Sequence, residues 1–340
     1  MVNLEKLKSE FWDGQYEVDY ENEKGKSKQK PTQFYFDEEG IKIAIKRALG
    51  DFTDRTERLK PEYKGQFFGV EQKYKALCGT DMEEDSEPKD GSFVQNFIDY
   101  FFKNPVEFKS QKDFDVWHQK MCDEFLNVIG PKYQGGLKYG KAQKIVNMTF
   151  KNAYCLSNKE NSKFTNCDKY YEYCHMPLDS IILEWVKRTQ ASIKNSEYLH
   201  KGRIPSWSKM NYKEEPDFLT SGGKKYYGYK DIQKAIFEYF SKYVEKNTTT
   251  KYLKGYTPLQ AEFFVWKYMQ LELAAEGIYK QLSSFDVYDE KTKEQIAQNV
   301  QTEPGANEED KKPFNERSIN EKLEYLQKMF KDIKKYKLQE

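Results

Sequence analysis

Three histidines, His118, His175 and His200, are all that this 340-residue chain contains. Mechanisms that rest on an imidazole base therefore have few places to sit. Also missing are G-x-x-x-x-G-K-[ST], G-x-G-x-x-G, H-E-x-x-H and G-x-S-x-G. Their absence removes the phosphate-loop, dinucleotide, zinc-helix and nucleophile-elbow chemistries that those spacings build. The five cysteines (Cys78, Cys122, Cys155, Cys167, Cys174) include no C-x2-C pair. Cys155, Cys167 and Cys174 with His175 thus lack the spacing of a zinc site, and neither a metal nor another cofactor is expected. No apolar run approaches the ~18 residues that span a bilayer, so no membrane association is expected. The opening MVNLEKLKSEFWDG has no apolar h-region, which points to a soluble, cytoplasmic protein with reduced thiols. A field of one sign is lacking too, because 56 Lys and Arg meet 55 Asp and Glu. Any contact with nucleic acid must come from a local patch.

What is present is a globular composition. Aromatic residues make up 16% of the chain beside 33% charged residues, whereas disordered chains pair high charge with few aromatics. Apolar residues recur at three and four through Ile41–Leu49, Phe93–Phe102 and Phe114–Val128, the period of an amphipathic helix. The same period marks Lys141–Leu156, Asp231–Glu245 and the long run after Thr257. Thr257-Pro258-Leu259-Gln260 has the form of a capping box with proline at the first helical position. Strand-type alternation is weak, so the fold class is all-α, in two helical lobes. The expected divisions are an N-terminal helical segment with an acidic loop (1–90), a first lobe (91–200) and a second lobe (201–301). A linker with a C-terminal docking helix follows (302–340), whose Ile319, Leu323, Leu326, Phe330 and Ile333 need either the chain's own core or a protein partner. A monomer is expected.

Local charge is uneven. Lys132, Lys138, Lys141, Lys144 and Lys151 occupy a stretch without an acidic residue, while Thr80–Asp90 is acidic. Glycines lead into the lysine-rich helix at Gly135, Gly136 and Gly140, and a glycine at a helix N-terminus lets backbone N–H groups approach a phosphate. Lys138, Lys141 and Lys144, three apart, would form a neighbouring ridge there. After the polar insertion Ser157–Tyr173 comes Pro177-Leu178-Asp179-Ser180-Ile181-Ile182, a carboxylate following proline where a helix begins. Read alone, Asp179 is a good N-cap. His118 sits among core residues of its helix and reads as structural.

The stretch GGLKYGKAQKIVNMTFKNAY … CHMPLDSIILEWVKR, residues 136–188, resembles the helix-hairpin-helix DNA glycosylase superfamily. In that superfamily a glycine-rich hairpin holds the DNA backbone, a lysine opens the hairpin's second helix in members that also cleave the strand, and an aspartate supplies the catalytic carboxylate. The resemblance implies Gly140 as the hairpin glycine, Lys144 or Lys141 as the lysine and Asp179 as the aspartate. It implies DNA as partner, contacted by Gly136, Lys138, Gly140, Lys141 and Lys132. It further implies a flipped-base pocket lined by Tyr170, Tyr171, Tyr173, Trp185 and His175. The activity implied is hydrolysis of the N-glycosidic bond of a modified or damaged base, with Asp179 and Lys144 as the catalytic candidates: either water is the nucleophile and Lys144 a charged phosphate contact, or the Lys144 amine attacks the sugar carbon and forms a Schiff base. Three departures stand out. Lys138 occupies the position of a second hairpin glycine, Asp179 follows Lys144 by 35 residues (179 − 144), and no cluster-binding cysteines are present. The alternative is a non-catalytic helical module that binds nucleic acid or protein.

Overall fold

A computed structural model describes residues 3–21, 34–52, 59–64, 69–80, 87–103, 108–192, 202–213, 215–216, 225–246 and 250–283. Among them lie nine α-helices: α1 (Leu4–Glu21), α2 (Glu38–Gly50), α3 (Val70–Leu77), α4 (Phe93–Ile98), α5 (Gln111–Ile129), α6 (Tyr139–Tyr154), α7 (Ser180–Ser192), α8 (Tyr229–Lys242) and α9 (Pro258–Ser283). Three two-residue strands, β1 (Gly202–Arg203), β2 (Glu215–Pro216) and β3 (Lys225–Tyr226), pair in the order β1-β3-β2. They are too short to change the class, and the fold is all-α. None of the described helices is long and apolar enough to cross a membrane. Linker 302–313, the C-terminal docking helix and His200 lie outside the described residues.

Two compact units divide the chain. The first holds Met1–Lys246 and Leu253–Phe264, and the second Asn247–Tyr252 and Val265–Glu340. Residues on both sides of the expected divisions at 90 and 200 therefore belong to the first unit. In the second unit, Val265 and Met269 are buried and Tyr252 meets Tyr268 edge-on at 5.5 Å.

The first unit is built around α6. Every residue of α6 except Lys144 is buried, and α2 and α5 pack along it. A helix enclosed on all sides must be apolar around its circumference, or must satisfy its polar groups internally. Ala142, Ile145, Val146, Met148, Phe150 and Ala153 meet the first condition. Gln143, Asn147 and Lys151 recur at i, i+4 as a polar stripe and meet the second. Local signals fix the ends of the surrounding helices. Asp37 caps α2 by accepting from the Gly40 N–H at 2.8 Å, and Ser110 caps α5. The Thr257 hydroxyl accepts from Gln260 N at 3.3 Å while the Gln260 carboxamide accepts from Thr257 N at 3.0 Å, a complete capping box at the start of α9.

One buried ion pair ties α9 to α6. Lys151 Nζ lies 2.6 Å from Glu262, and both side chains are at most 3% exposed. The rings of Phe11 and Phe263 face the ammonium at 3.9 and 4.8 Å. Burial pushes the Glu262 carboxyl up, and Lys151 only partly reverses this.

Candidate functional site

The connector before α6 turns through Gly135 and Gly136, whose φ angles of 75° and 71° fall in the left-handed region that glycine enters freely. Lys138 follows as the exposed N-cap residue of α6. Gly140 is a glycine for another reason. A Cβ placed there would lie 1.6 Å from the Trp207 carbonyl oxygen, so the position is set by backbone contact. The Gly140 N–H donates to the Met210 carbonyl at 2.9 Å. The anion cradle expected at Gly140 is thus occupied by the 207–210 turn.

The expected lysine ridge divides in the same way. Lys141 is buried, with its ammonium 5.0 Å from the Phe52 ring and 4.9 Å from the Trp207 ring. That burial removes Lys141 from the surface where it was expected to meet phosphate. Lys144 is half-buried, its ammonium 5.1 Å from the same Trp207 ring. Lys132, over the Tyr63 ring at 4.8 Å, and the exposed Gly136 and Lys138 remain on the outside of the connector.

Asp179 is half-buried and precedes α7, where its Oδ1 accepts from the Ile182 N–H at 2.8 Å. The capping role read from the sequence is present. The residue before it is clamped to α6. The Gln143 side chain donates to the Leu178 carbonyl at 2.9 Å and accepts from the Leu178 N–H at 3.3 Å. Asp179 is therefore held one residue from a contact with the first turns of α6, where Lys144 neighbours Gln143.

The five residues expected to line a base pocket are not gathered in one place. Tyr171 is fully buried, its ring 4.7 Å from Tyr154 and its hydroxyl donating to Asn166. Tyr170 stacks on Phe36 at 5.8 Å, and Tyr173 presents its carbonyl to Gln111 at 3.0 Å. Trp185 packs edge-on against Tyr239 of α8 at 5.7 Å. His175 lies on another side of the core, 5.1 Å from the Phe114 ring. Aromatic side chains next to a motif also supply core area, and these five make separate contacts.

A polar array that the sequence did not announce runs through the core beside this site. His175 Nε2 lies 2.8 Å from Asp115 Oδ1, and His175 Nδ1 lies 2.8 Å from the Tyr229 hydroxyl. Asn147 Nδ2 reaches the same hydroxyl at 2.8 Å and Gln143 Oε1 at 3.0 Å. Asn147 Oδ1 faces His118 Nε2 at 2.9 Å. Gln233 donates to the Met176 carbonyl at 2.7 Å. Burial holds the His175 imidazole below its ordinary range, although the Asp115 carboxylate opposes this. His118 is pushed well below its range by burial and by the neighbouring His175. Burial also raises the Tyr229 phenol far above the usual value. At Asp115 burial acts upward, but the hydrogen bonds from His175 and Gln111 and the charge of Lys230 outweigh it and leave the carboxyl low. The one sequence signal was the i, i+4 spacing of Gln143, Asn147 and Lys151 on α6.

No family model, curated protein or solved structure matches this chain.

Among the described residues no group of three or more His, Cys, Asp or Glu side chains is arranged to hold a metal ion. The described residues of the site offer one carboxylate, one amine and an organised buried polar array that ends at the Asp115 carboxylate. A carboxylate can stabilise a developing cation or accept a proton from water, and a half-buried ammonium can hold a phosphate.

Proposed function

We propose that this protein is a DNA glycosylase, hydrolysing the N-glycosidic bond of a modified or damaged base with Asp179 as the catalytic carboxylate. The observation that supports the reading is the clamp of Leu178 by Gln143, which ties the residue before Asp179 to α6. In the proposed reaction the bond between C1′ and the base nitrogen breaks and its electron pair leaves with the base. Asp179 faces the positive charge that develops on the sugar. Water then adds to C1′ and gives up its proton to the carboxylate, which passes it to the departed base and is restored. Lys144 acts as an ammonium toward the phosphate beside the target nucleotide, and Lys138 and Lys132 extend this contact along the strand. The base must leave the helical stack to be reached.

The test is release of free base from DNA duplexes carrying a panel of modified bases, compared between the natural protein and Asp179→Asn. Asparagine keeps an oxygen for the Ile182 N–H but carries no charge, so base release is expected to fall about a hundredfold or more while DNA binding persists. A loss of only a few fold removes Asp179 from the chemistry. For Lys138→Glu with Lys144→Glu, affinity is expected to fall equally for all sequences and its dependence on salt to flatten.

A second reading, a non-catalytic helical module that binds nucleic acid or protein, is favoured by two observations. Asp179 makes a cap bond, and the Gly140 N–H is already engaged by Met210. It requires that no panel member lose a base and that Asp179→Asn change neither affinity nor its salt dependence.

A further inference from the structure

We propose that Asp115, His175, Tyr229 and Asn147 form a positioning chain that holds the Leu178–Asp179 backbone through Gln143, so that the half-exposed Asp115 and the proposed catalytic carboxylate are ends of one hydrogen-bonded path. This rests on the glycosylase reading for its link to turnover, and on geometry alone for its link to Asp179.

The direction of every bond in the path follows from one fixed point. The Leu178 carbonyl can only accept and its N–H can only donate. Gln143 must therefore turn its Nε2 to the carbonyl and its Oε1 to the N–H. That leaves Oε1 to accept from Asn147, so the Asn147 Nδ2 faces it and the same nitrogen donates its other hydrogen to the Tyr229 oxygen. The Asn147 Oδ1 is then turned toward His118, which must be protonated on Nε2. Having accepted from Asn147, the Tyr229 hydroxyl donates to His175 Nδ1. His175 is thus the neutral tautomer with its proton on Nε2, given to Asp115. An amide or imidazole turned the other way would set donor against donor at a buried contact, which costs the full desolvation of both groups.

The chain acts on a segment with little other backbone support. Pro177 has no N–H, and Leu178 uses both of its backbone groups on the Gln143 side chain. Gln233 takes the Met176 carbonyl, and His175 itself is a link of the chain. Residues 174–178 are all buried, so water does not take over these bonds when a partner is lost. The segment that leads into Asp179 consequently depends on side chains from α6, α8 and, through Asp115, α5, while Asp179 itself accepts from the Ile182 and Leu183 N–H groups of α7 at 2.8 and 3.0 Å. Outer hydrogen bonds that orient the ligands of a metal site are worth roughly tenfold to a hundredfold, and the lower end of that range sets the scale here.

Tyr229→Phe cuts the path while keeping the ring that packs on His118 at 5.4 Å. Two measurements are made on the full chain: amide hydrogen exchange, and steady-state base release from the modified duplex found active. Expected are exchange at Leu178 and Ile182 faster by about tenfold, with the amides in the middle of α5 unchanged, and kcat lower by about tenfold at unchanged KM. Asp115→Asn retains an oxygen for His175 Nε2–H and is expected to fall between Tyr229→Phe and the natural chain in both measurements. Unchanged exchange at Leu178 and Ile182 in Tyr229→Phe overturns the chain, as does a kcat equal to that of the natural protein despite faster exchange. If the natural protein releases no base from any duplex, the glycosylase reading has failed, and the link to turnover falls with it. The exchange at Leu178 and Ile182 then decides alone whether the path holds Asp179.

Discussion

Gly140 and Gln143 lie one turn apart on α6, and each is fixed by what a single extra or missing atom group would do. At Gly140 a methyl group would meet the Trp207 carbonyl oxygen and carbon at 1.6 and 2.8 Å, both backbone atoms that cannot swing aside. Gly140→Ala is expected to destabilise the fold by about 3 kcal/mol, at the upper end of overpacking costs, read as a lower urea midpoint. At Gln143 the amide joins α6 to the Leu178 backbone through two bonds, and it is completely buried. Gln143→Ala leaves the Leu178 carbonyl and N–H without that partner, which costs about 2 kcal/mol, and should do so with no change in helix content by circular dichroism.

Among the elements, α6 and α9 are joined by a contact that is favourable only while both members are present. Lys151 and Glu262 are too deeply buried to regain water if either is neutralised. Lys151→Met alone is expected to cost about 4 kcal/mol, whereas Lys151→Met with Glu262→Leu should recover most of it, because an apolar pair of similar size replaces two desolvated charges. Urea unfolding of the two variants and the natural chain checks this; equal losses in the single and double variants would mean that packing against Phe11 and Phe263, not charge, sets the cost. The capping box belongs to the same scale. Thr257→Ala removes the acceptor for the Gln260 N–H and should cost about 1 kcal/mol.

For the whole molecule, the two buried imidazoles set a response to acid. His118 and His175 both have folded-state proton affinities below the ordinary 6.5. Above that value both are neutral in either state and their contribution to stability is complete. Below it the unfolded chain takes up protons that the folded core resists, so stability is lost as pH falls through 6.5 toward the lower folded values. Melting temperature is expected to drop steadily from pH 7 to pH 5, with a smaller drop in His175→Gln. A flat profile over that window would show that the array accepts protons without cost.

Much of the fold was legible because its signals are local. The helix over Phe114–Val128, the proline-led capping box at Thr257 and the cap at Asp179 each follow from a few neighbouring residues and appear where that spacing places them. The stripe of Gln143, Asn147 and Lys151 could be counted in the sequence, but not its partners, which lie on α5, α8, α9 and the segment before α7. Only tertiary structure decided that Lys141 is buried, that Gly140 serves packing against Trp207, and that Tyr171 and Trp185 are buried while Tyr170 and Tyr173 are half-buried. The physical reason is that lysine stems, glycine contacts and aromatic rings serve a core and a ligand equally well, and their use is settled by which distant residues the chain brings against them. The sequence by itself determined helices, caps and the adjacency of proline to a carboxylate; packing around one enclosed helix decided which of its polar groups are held inside and which meet solvent.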